Sequence, residues 1–112
     1  MSSDETAQDP LSLALAAAAH PIRRDILERL ARESQNVGAL SSAYAISMPA
    51  ISRHLRTLER ARLIERRVEG RSHLIALKGE GLRRIAEWSA TQSAEWAERL
   101  AKLKSLMEDD DG

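Results

Sequence analysis

The chain has 112 residues, no cysteine and a formal net charge of zero at neutral pH. A chain of this length forms a single domain, and the absence of cysteine excludes disulfides, thiolate metal sites and cysteine redox chemistry. With no Phe, two Trp and one Tyr, the core must be built from aliphatic residues and alanine, which favours closely packed helices. We therefore expect a mostly α-helical domain in a reducing compartment.

Residues 1–8 are polar, small and acidic, and we expect them to form a disordered tail. Asp9 and Pro10 supply an N-cap and a first helical position, so a first helix is predicted from Pro10 to about Ala19. The apolar run at 11–19 is mostly alanine and follows no basic segment, so it is neither a signal peptide nor a membrane span. We expect a cytoplasmic protein with no membrane association.

A second helix is predicted to open at Pro21, because proline breaks the preceding helix and fits the first position of the next. Its apolar residues recur at helical spacing; they are Ile22, Ile26, Leu27 and Leu30. Asn36 is suited to cap a short third helix from Val37 to Tyr44. Residues 45–46 then leave room only for a tight turn before Ser47.

The stretch from Ser47 to Leu58 predicts an amphipathic helix, which we expect to run over residues 47–60. At about 100° per residue, Ile51, Leu55 and Leu58 share one face, and the opposite face carries arginines and short polar residues. Guanidinium and hydroxyl groups reach phosphates and guanine edges when a helix lies in a major groove. The candidate DNA-binding residues of this helix are Ser47, Pro49, Ser52, Arg53, Arg56 and Thr57.

A charged face opposite an apolar stripe is also what most surface helices show, so the neighbouring elements decide between the two interpretations. The short helix and tight turn before residue 47 complete a helix-turn-helix. Residues 63–68 and 72–77 are rich in β-formers, and Glu69-Gly70 can supply a tight turn, so a hairpin over 64–77 is predicted. The expected fold is a winged helix-turn-helix with the order α-α-α-α-β-β-α.

The basic charge is concentrated in this predicted DNA-binding region. Between residues 47 and 78, seven Arg and one Lys stand against three Glu, a local charge of +5. Salt screens charges beyond about 8 to 10 Å, so a local basic patch can attract phosphate although the net charge is zero. The wing arginines Arg66, Arg67 and Arg71 are predicted to contact phosphate, on the same side of the molecule as Arg53 and Arg56.

Nothing breaks a helix from about Leu82 to Met107, and its apolar positions alternate in steps of four and three, as in a helix that meets another along its length. A helix of about 40 Å, at roughly 1.5 Å per residue, lacks an internal partner in so small a domain. A second copy of the chain is therefore expected to cover it. The predicted dimer contacts are Leu11, Leu15, Trp96, Leu100, Leu103 and Met107. The domain is expected to span residues 9–107, with an acidic tail at 108–112.

Four sequence segments in this order carry a family resemblance: His20–Leu27, Ser47–Leu58, Ala61–Ile64 and Glu69–Arg71. Together they resemble the ArsR (SmtB-like) family of dimeric winged-helix transcriptional repressors, over roughly residues 10–105. The resemblance implies a homodimer formed through the first and last helices. It also implies recognition helices in successive major grooves of an imperfect palindrome in double-stranded DNA.

The chain departs from the metal-sensing members of that family. Those members carry a Cys-containing motif before the recognition helix, or Asp, His and Glu ligands on the last helix. Residues 36–44 contain neither Cys nor His, and His20, His54 and His73 lie in different elements without helical pairing. We expect no metal site and no cofactor. Where the family usually has glycine after the recognition helix, this chain has Arg62, so the helix either ends without a left-handed residue or Arg62 adopts that conformation.

The predicted function is DNA-binding transcriptional regulation by a homodimeric repressor. An enzyme is not expected, because the sequence offers no Gly-rich phosphate loop, no Cys nucleophile and no Ser-His pairing with a reason to converge. The alternative is a winged-helix module for protein association alone, which the local charge of +5 disfavours. Trp88 and Trp96 indicate core or dimer contacts, with an unidentified small apolar effector between helices as a further alternative.

Overall fold

The computed structural model describes residues 9–110, which form five helices and three strands. The helices are α1 (Pro10–Ala18), α2 (Pro21–Arg32), α3 (Val37–Ser42), α4 (Met48–Arg60) and α5 (Gly79–Asp110), and the strands are β1 (Gln35–Asn36), β2 (Ile64–Glu69) and β3 (Ser72–Leu77). This order confirms the mostly α-helical winged helix-turn-helix. The predicted disordered tail at 1–8 lies outside the described residues.

A side-chain cap opens each of the first four helices. The carboxylate of Asp9 accepts from Ser12 N at 3.0 Å, and the side chain of Asn36 accepts from Ala39 N at 2.8 Å. Ser47 Oγ accepts from Ala50 N at 3.3 Å at the start of α4. These three caps follow the sequence pattern, because short polar side chains satisfy the free N–H groups of a first turn. The cap of α2 is His20, treated below.

The core lies between α2, α3, α4 and the base of the hairpin. Its fully buried side chains are aliphatic: Ile26, Leu40, Ile51, Leu55, Leu58, Leu63, Ile64 and Ile75. Ala14 and Ala17 of α1 are also buried in this cluster. Small side chains at these two positions let α1 lie close to its neighbours, which explains how a core without Phe closes around short aliphatic residues.

The sheet is antiparallel with the order β1-β3-β2, so β3 is the central strand. In the hairpin, Ile64 pairs with Leu77 and Glu69 pairs with Ser72, which leaves Gly70 and Arg71 as the two loop residues. Gly70 has a φ of +63° and Arg71 has no positive φ, the pattern of a II′ turn that needs glycine first. The prediction placed this turn one residue too early, at 69–70. Strand β1 was not predicted, since two residues are too short to show an alternating pattern.

Helix α4 ends in a Schellman motif with arginine at the left-handed position. Arg62 has a φ of +60°, and its N–H donates to Glu59 O at 3.1 Å while Leu63 N–H donates to Leu58 O at 3.1 Å. Leu58 and Leu63 are both fully buried, which supplies the apolar contact of this motif. The sequence left open whether α4 ends without a left-handed residue or with Arg62 in that conformation. The structure shows the second alternative, with Arg62 in place of the usual glycine.

Gly81 lies directly against this turn. Its N–H donates to Arg62 O at 2.9 Å. A Cβ at this position would lie 2.6 Å from Ala61 O and 2.8 Å from Leu63 Cδ2. Only glycine allows the start of α5 to approach the end of α4 this closely, so Gly81 links α5 to α4.

Helix α5 is longer at both ends than the sequence indicated, running from Gly79 to Asp110 instead of from about 82 to 107. Glu108 and Asp109 therefore belong to the helix and not to a separate acidic tail, and residues 111–112 lie outside the described part. The prediction followed the spacing of apolar residues, so it missed the two polar ends of α5, which are also helical. Within residues 9–110, none of the helices is long and apolar enough to cross a membrane.

Replacing Gly81 by alanine should destabilise the fold. The added methyl meets two backbone carbonyls and a fully buried leucine, and overpacking of this kind costs about 1–3 kcal/mol. The matched control is Gly79→Ala, because a Cβ at Gly79 has no heavy atom within 4 Å. Urea unfolding at equal protein concentration should show a lower free energy of unfolding for Gly81→Ala and no loss for Gly79→Ala. Equal stability of the two variants would contradict the close approach of α5 to the α4 turn.

Candidate nucleic-acid interface

Helix α4 is held by its inner face and open on its outer face. Ile51, Leu55 and Leu58 are fully buried, while the side chains of Arg53 and Arg56 are exposed. Within residues 9–110 neither of these two guanidiniums forms an ion pair. The structure therefore confirms the predicted amphipathic helix. Within the described residues, its two unpaired guanidiniums point away from the core.

The polar candidates on α4 differ in what they can still bind. Ser47 caps the helix, and Pro49 is exposed in its first turn. Thr57 is half-buried and donates its hydroxyl proton to Arg53 O at 3.1 Å, one turn earlier on the same helix. Because its proton is committed, Thr57 has its oxygen lone pairs left for an outside partner. Ser52 is half-buried at the edge of the helix nearest the wing.

The three wing arginines do not lie on one side of the molecule, so this part of the prediction was wrong. Successive residues of a strand point to opposite faces, and Arg66 and Arg67 are consecutive in β2. Arg67 pairs with Glu65 at 3.0 Å on the face turned away from α4. Only Arg71 lies in the two-residue loop at the tip of the wing, and it is exposed.

Arg66 is occupied by a contact within the protein. Its Nη2 and Nε donate to Glu59 Oε1 of α4 at 2.8 and 3.3 Å, and its Nη1 lies 3.2 Å from His73 Nδ1 of β3. The side chains of Arg66 and Glu59 are only 27% and 33% exposed. This pair joins the wing to α4 and engages the Arg66 guanidinium within the protein.

A groove of about 520 Å³ lies between α4 and the wing, and we call it the wing groove. It is lined by Asn36, Val37, Gly38, Met48, Ser52, Arg66, Arg71, Ser72 and His73. The fold thus brings together Ser52, Arg66 and Arg71 from the predicted set. Met48 was not among the predicted site residues, although its place beside the cap of an amphipathic helix could have marked it as exposed.

A second contact set lies behind α4, around His54. The ring centroids of His20 and His54 are 4.6 Å apart, and Arg23 Nη1 lies 3.3 Å from His54 Nδ1. Burial, followed by the nearby charges of His20, Arg23 and Arg53, lowers the pKa of His54 below its usual value. The His54 ring therefore remains neutral near pH 7, as expected for a packing histidine.

Two arginines of α2 also bind the end of α1. Arg23 Nε donates to Ala17 O at 2.6 Å, and Arg24 Nη1 donates to Ala18 O at 2.9 Å. Cations are favourable at the C-terminal end of a helix, where the last carbonyls lack partners. The contact between His20 and His54 was not predicted, because the two residues are distant in the chain. His20 Nδ1 also accepts from Ile22 N at 3.1 Å as the cap of α2.

The turn between α3 and α4 is fastened to α2 by Tyr44. The Tyr44 hydroxyl donates to Asp25 Oδ2 at 2.5 Å, and Arg29 donates to the same oxygen at 3.0 Å. The hydrogen bond from Tyr44, and then that from Arg29, lowers the pKa of Asp25. Burial and the Asp25 carboxylate raise the pKa of Tyr44 to about 12, so its hydroxyl keeps the proton that it donates.

The far half of α5 carries an uncovered apolar surface, which we call the distal stripe. It consists of Trp96, Leu100, Leu103, Leu106 and Met107, which are 55–64% exposed. Four of these residues were predicted as dimer contacts, and Leu106 was not. The other two predicted contacts, Leu11 and Leu15 of α1, are half-buried.

Among the described residues, no cluster of three or more His, Cys, Asp or Glu could hold a metal ion.

Comparisons with known proteins identify the kind of regulator. A helix-turn-helix domain model matches residues 18–67. The ArsR-like transcriptional regulator from Rhodococcus sp. RHA1 is 31% identical, and the match covers 87% of this chain and 92% of that one with a TM-score of 0.73. The chain belongs to the ArsR family. A second solved ArsR family transcriptional regulator is 28% identical, with a TM-score of 0.75 over 80% of this chain and 92% of that chain.

A curated relative found by sequence is also a helix-turn-helix regulator. The HTH-type transcriptional regulator Rv2034 of Mycobacterium tuberculosis is 41% identical over 66 residues, which is 59% of this chain and 62% of that protein. The chain thus matches less than two thirds of the length of this relative. As an ArsR-family member the protein is a transcriptional regulator and not an enzyme, as the sequence predicted.

Proposed function

We propose that this ArsR-family regulator is a homodimeric repressor that binds an imperfect palindrome in double-stranded DNA. In this proposal α4 enters the major groove and the wing tip lies beside it on the phosphate backbone. The observation that carries the proposal is the unpaired state of Arg53 and Arg56 within the described residues, on the outer face of a helix whose inner face is fully buried. Arg66 differs from these two residues, because its guanidinium is engaged with Glu59 inside the fold.

The two sets of arginines are proposed to do different work. Arg53 and Arg56, with Ser52, read base edges or the adjacent phosphates, because bidentate guanidinium contacts with guanine are the commonest specific contact in a major groove. Arg71, exposed at the tip of the wing, contacts phosphate, which supplies affinity with little sequence information. Arg66 acts by holding the wing on α4 through Glu59.

A homodimer places the two recognition helices for a two-fold operator. The distal stripe supports this part of the proposal, because five large side chains with more than half of their surface open form a continuous face along one side of α5. A second copy of the same stripe is a matching apolar partner under two-fold symmetry. The half-sites should then lie about 10 to 10.5 base pairs apart, or a multiple of that.

The arginine assignments should separate in DNA titrations at several salt concentrations. Arg53→Ala or Arg56→Ala should cost about 1–3 kcal/mol, mainly on the specific site. Arg71→Ala should weaken all duplexes alike and lower the log–log salt slope by about one. The control is Lys102→Ala, an exposed cation on the distal half of α5, which should leave both quantities unchanged.

Arg66→Ala gives a further contrast within the wing. We expect it to lower stability, since it leaves Glu59 without its partner, with a smaller change in salt slope than for Arg71→Ala. If Arg53→Ala and Arg56→Ala leave both specific and non-specific affinity unchanged, α4 does not enter the groove. The protein-association module would then be the better account.

The dimer should dissociate when the distal stripe is charged. The double variant Leu100→Glu/Leu103→Glu should be monomeric by light scattering, because two carboxylates would be buried without partners. The matched control is Ala101→Glu, which adds a carboxylate at an exposed position about 100° around the helix from Leu100. A native protein that is already monomeric at micromolar concentration would overturn the dimer.

A further inference from the structure

Met48 is the one large apolar side chain that α4 leaves open to solvent. It is 50% exposed, whereas Ile51, Leu55 and Leu58 of the same helix are fully buried. The core is therefore complete without Met48. Single exposed apolar residues are common on protein surfaces, so the significance of Met48 depends on what surrounds it.

Met48 occupies the end of α4 that faces the wing groove. It is the first residue of the helix, beside the capping Ser47, and Ser52 follows it one turn later. Both residues line the wing groove together with Arg66 and Arg71. The apolar side chain thus lies within a basic and polar surface, next to the residues proposed to contact DNA.

The sulfur of Met48 is supported from behind by α3. Ser41 Oγ lies 2.9 Å from Met48 Sδ and also 2.9 Å from Val37 O. A serine hydroxyl has one proton, which Ser41 can donate to Val37 O or to Met48 Sδ, and the thioether sulfur is the weaker acceptor of the two. This contact restricts where the thioether can lie and leaves the remaining side-chain surface open to the groove.

We propose that Met48 recognises a thymine by packing against its 5-methyl group, an inference that rests on the proposed binding of α4 in the major groove. Thymine is the only standard base that presents a methyl group there, and apolar side chains make the corresponding contact. A thioether accepts hydrogen bonds weakly and donates none, so Met48 offers little to the polar edges of the other bases. It adapts its shape because its side chain is unbranched and flexible.

The test removes the methyl group from the DNA and the side chain from the protein. A binding site is first selected from random duplexes with the full chain, and each thymine of that site is then replaced in turn by deoxyuridine, which lacks only the methyl group. At one thymine in each half-site, the replacement should weaken binding about three- to fivefold, the effect expected for one methyl withdrawn from an apolar contact. Met48→Ala should bind the thymine site more weakly and should bind the two bases equally at that position.

Two further variants make the result specific. Met48→Leu should retain discrimination between thymine and uracil, because the apolar contact is preserved. Ser52→Ala should change overall affinity yet keep the discrimination, since Ser52 supplies a polar group in the same groove. Thermal melting of each variant separates loss of binding from loss of folding.

The outcomes distinguish this inference from the proposed function. If the native protein binds its selected site but no thymine replacement weakens binding, or if Met48→Ala still discriminates, Met48 does not read a methyl group and DNA binding by α4 stands. If no duplex is selected and none is bound, the proposed function fails and the inference fails with it.

Discussion

The burial of the inner face of α4 is the constraint on which the rest of the structure depends. Three aliphatic side chains, Ile51, Leu55 and Leu58, reach zero exposure and fix the rotation of the helix about its axis. Once that rotation is fixed, the residues at the intervening positions must point outward. Arg53 and Arg56 therefore point outward because of core packing, and no further contact is needed to orient them.

Contacts with neighbouring elements fix the position of α4 at both of its ends and beside the wing. Tyr44 fastens the turn before it to α2, and the left-handed Arg62 with Gly81 closes its far end against α5. The Arg66–Glu59 pair sets the wing beside it. These contacts hold α4 against three other elements, α2, α5 and β2, so the helix that is proposed to touch DNA is held from both ends and from one side. A rigid element of this kind keeps reading residues in place at little entropic cost on binding.

Most of this architecture could be predicted from the sequence, and the failures have physical causes. Caps and periodicity located α1, α3 and α4 within two residues at each end, because Asp9, Asn36 and Ser47 act locally on the helices that they open. The start of α2 at Pro21 was also predicted. Features that depend on pairing across the chain were missed. Strand β1 exists because β3 pairs with it, and the contact between His20 and His54 exists because the second helix packs on α4.

The candidate site divides in the same way. The exposure of Arg53 and Arg56 followed from helical geometry alone, whereas the positions of Arg66 and Arg67 depended on strand register and on the partner Glu59. A count of local charge treated all wing arginines as equivalent. The fold uses Arg66 internally and leaves Arg71 at the tip, so the charge available to DNA is smaller than the sequence suggested.

The most direct test of the central claim, that α4 lies in the major groove, is a dimethyl sulfate footprint on a selected binding site. This reagent methylates guanine N7, an atom that is exposed only in the major groove. The account predicts two protected groups of guanines, centred about 10 to 10.5 base pairs apart or a multiple of that distance. Guanines that remain fully reactive throughout the site when it is saturated with protein would contradict it.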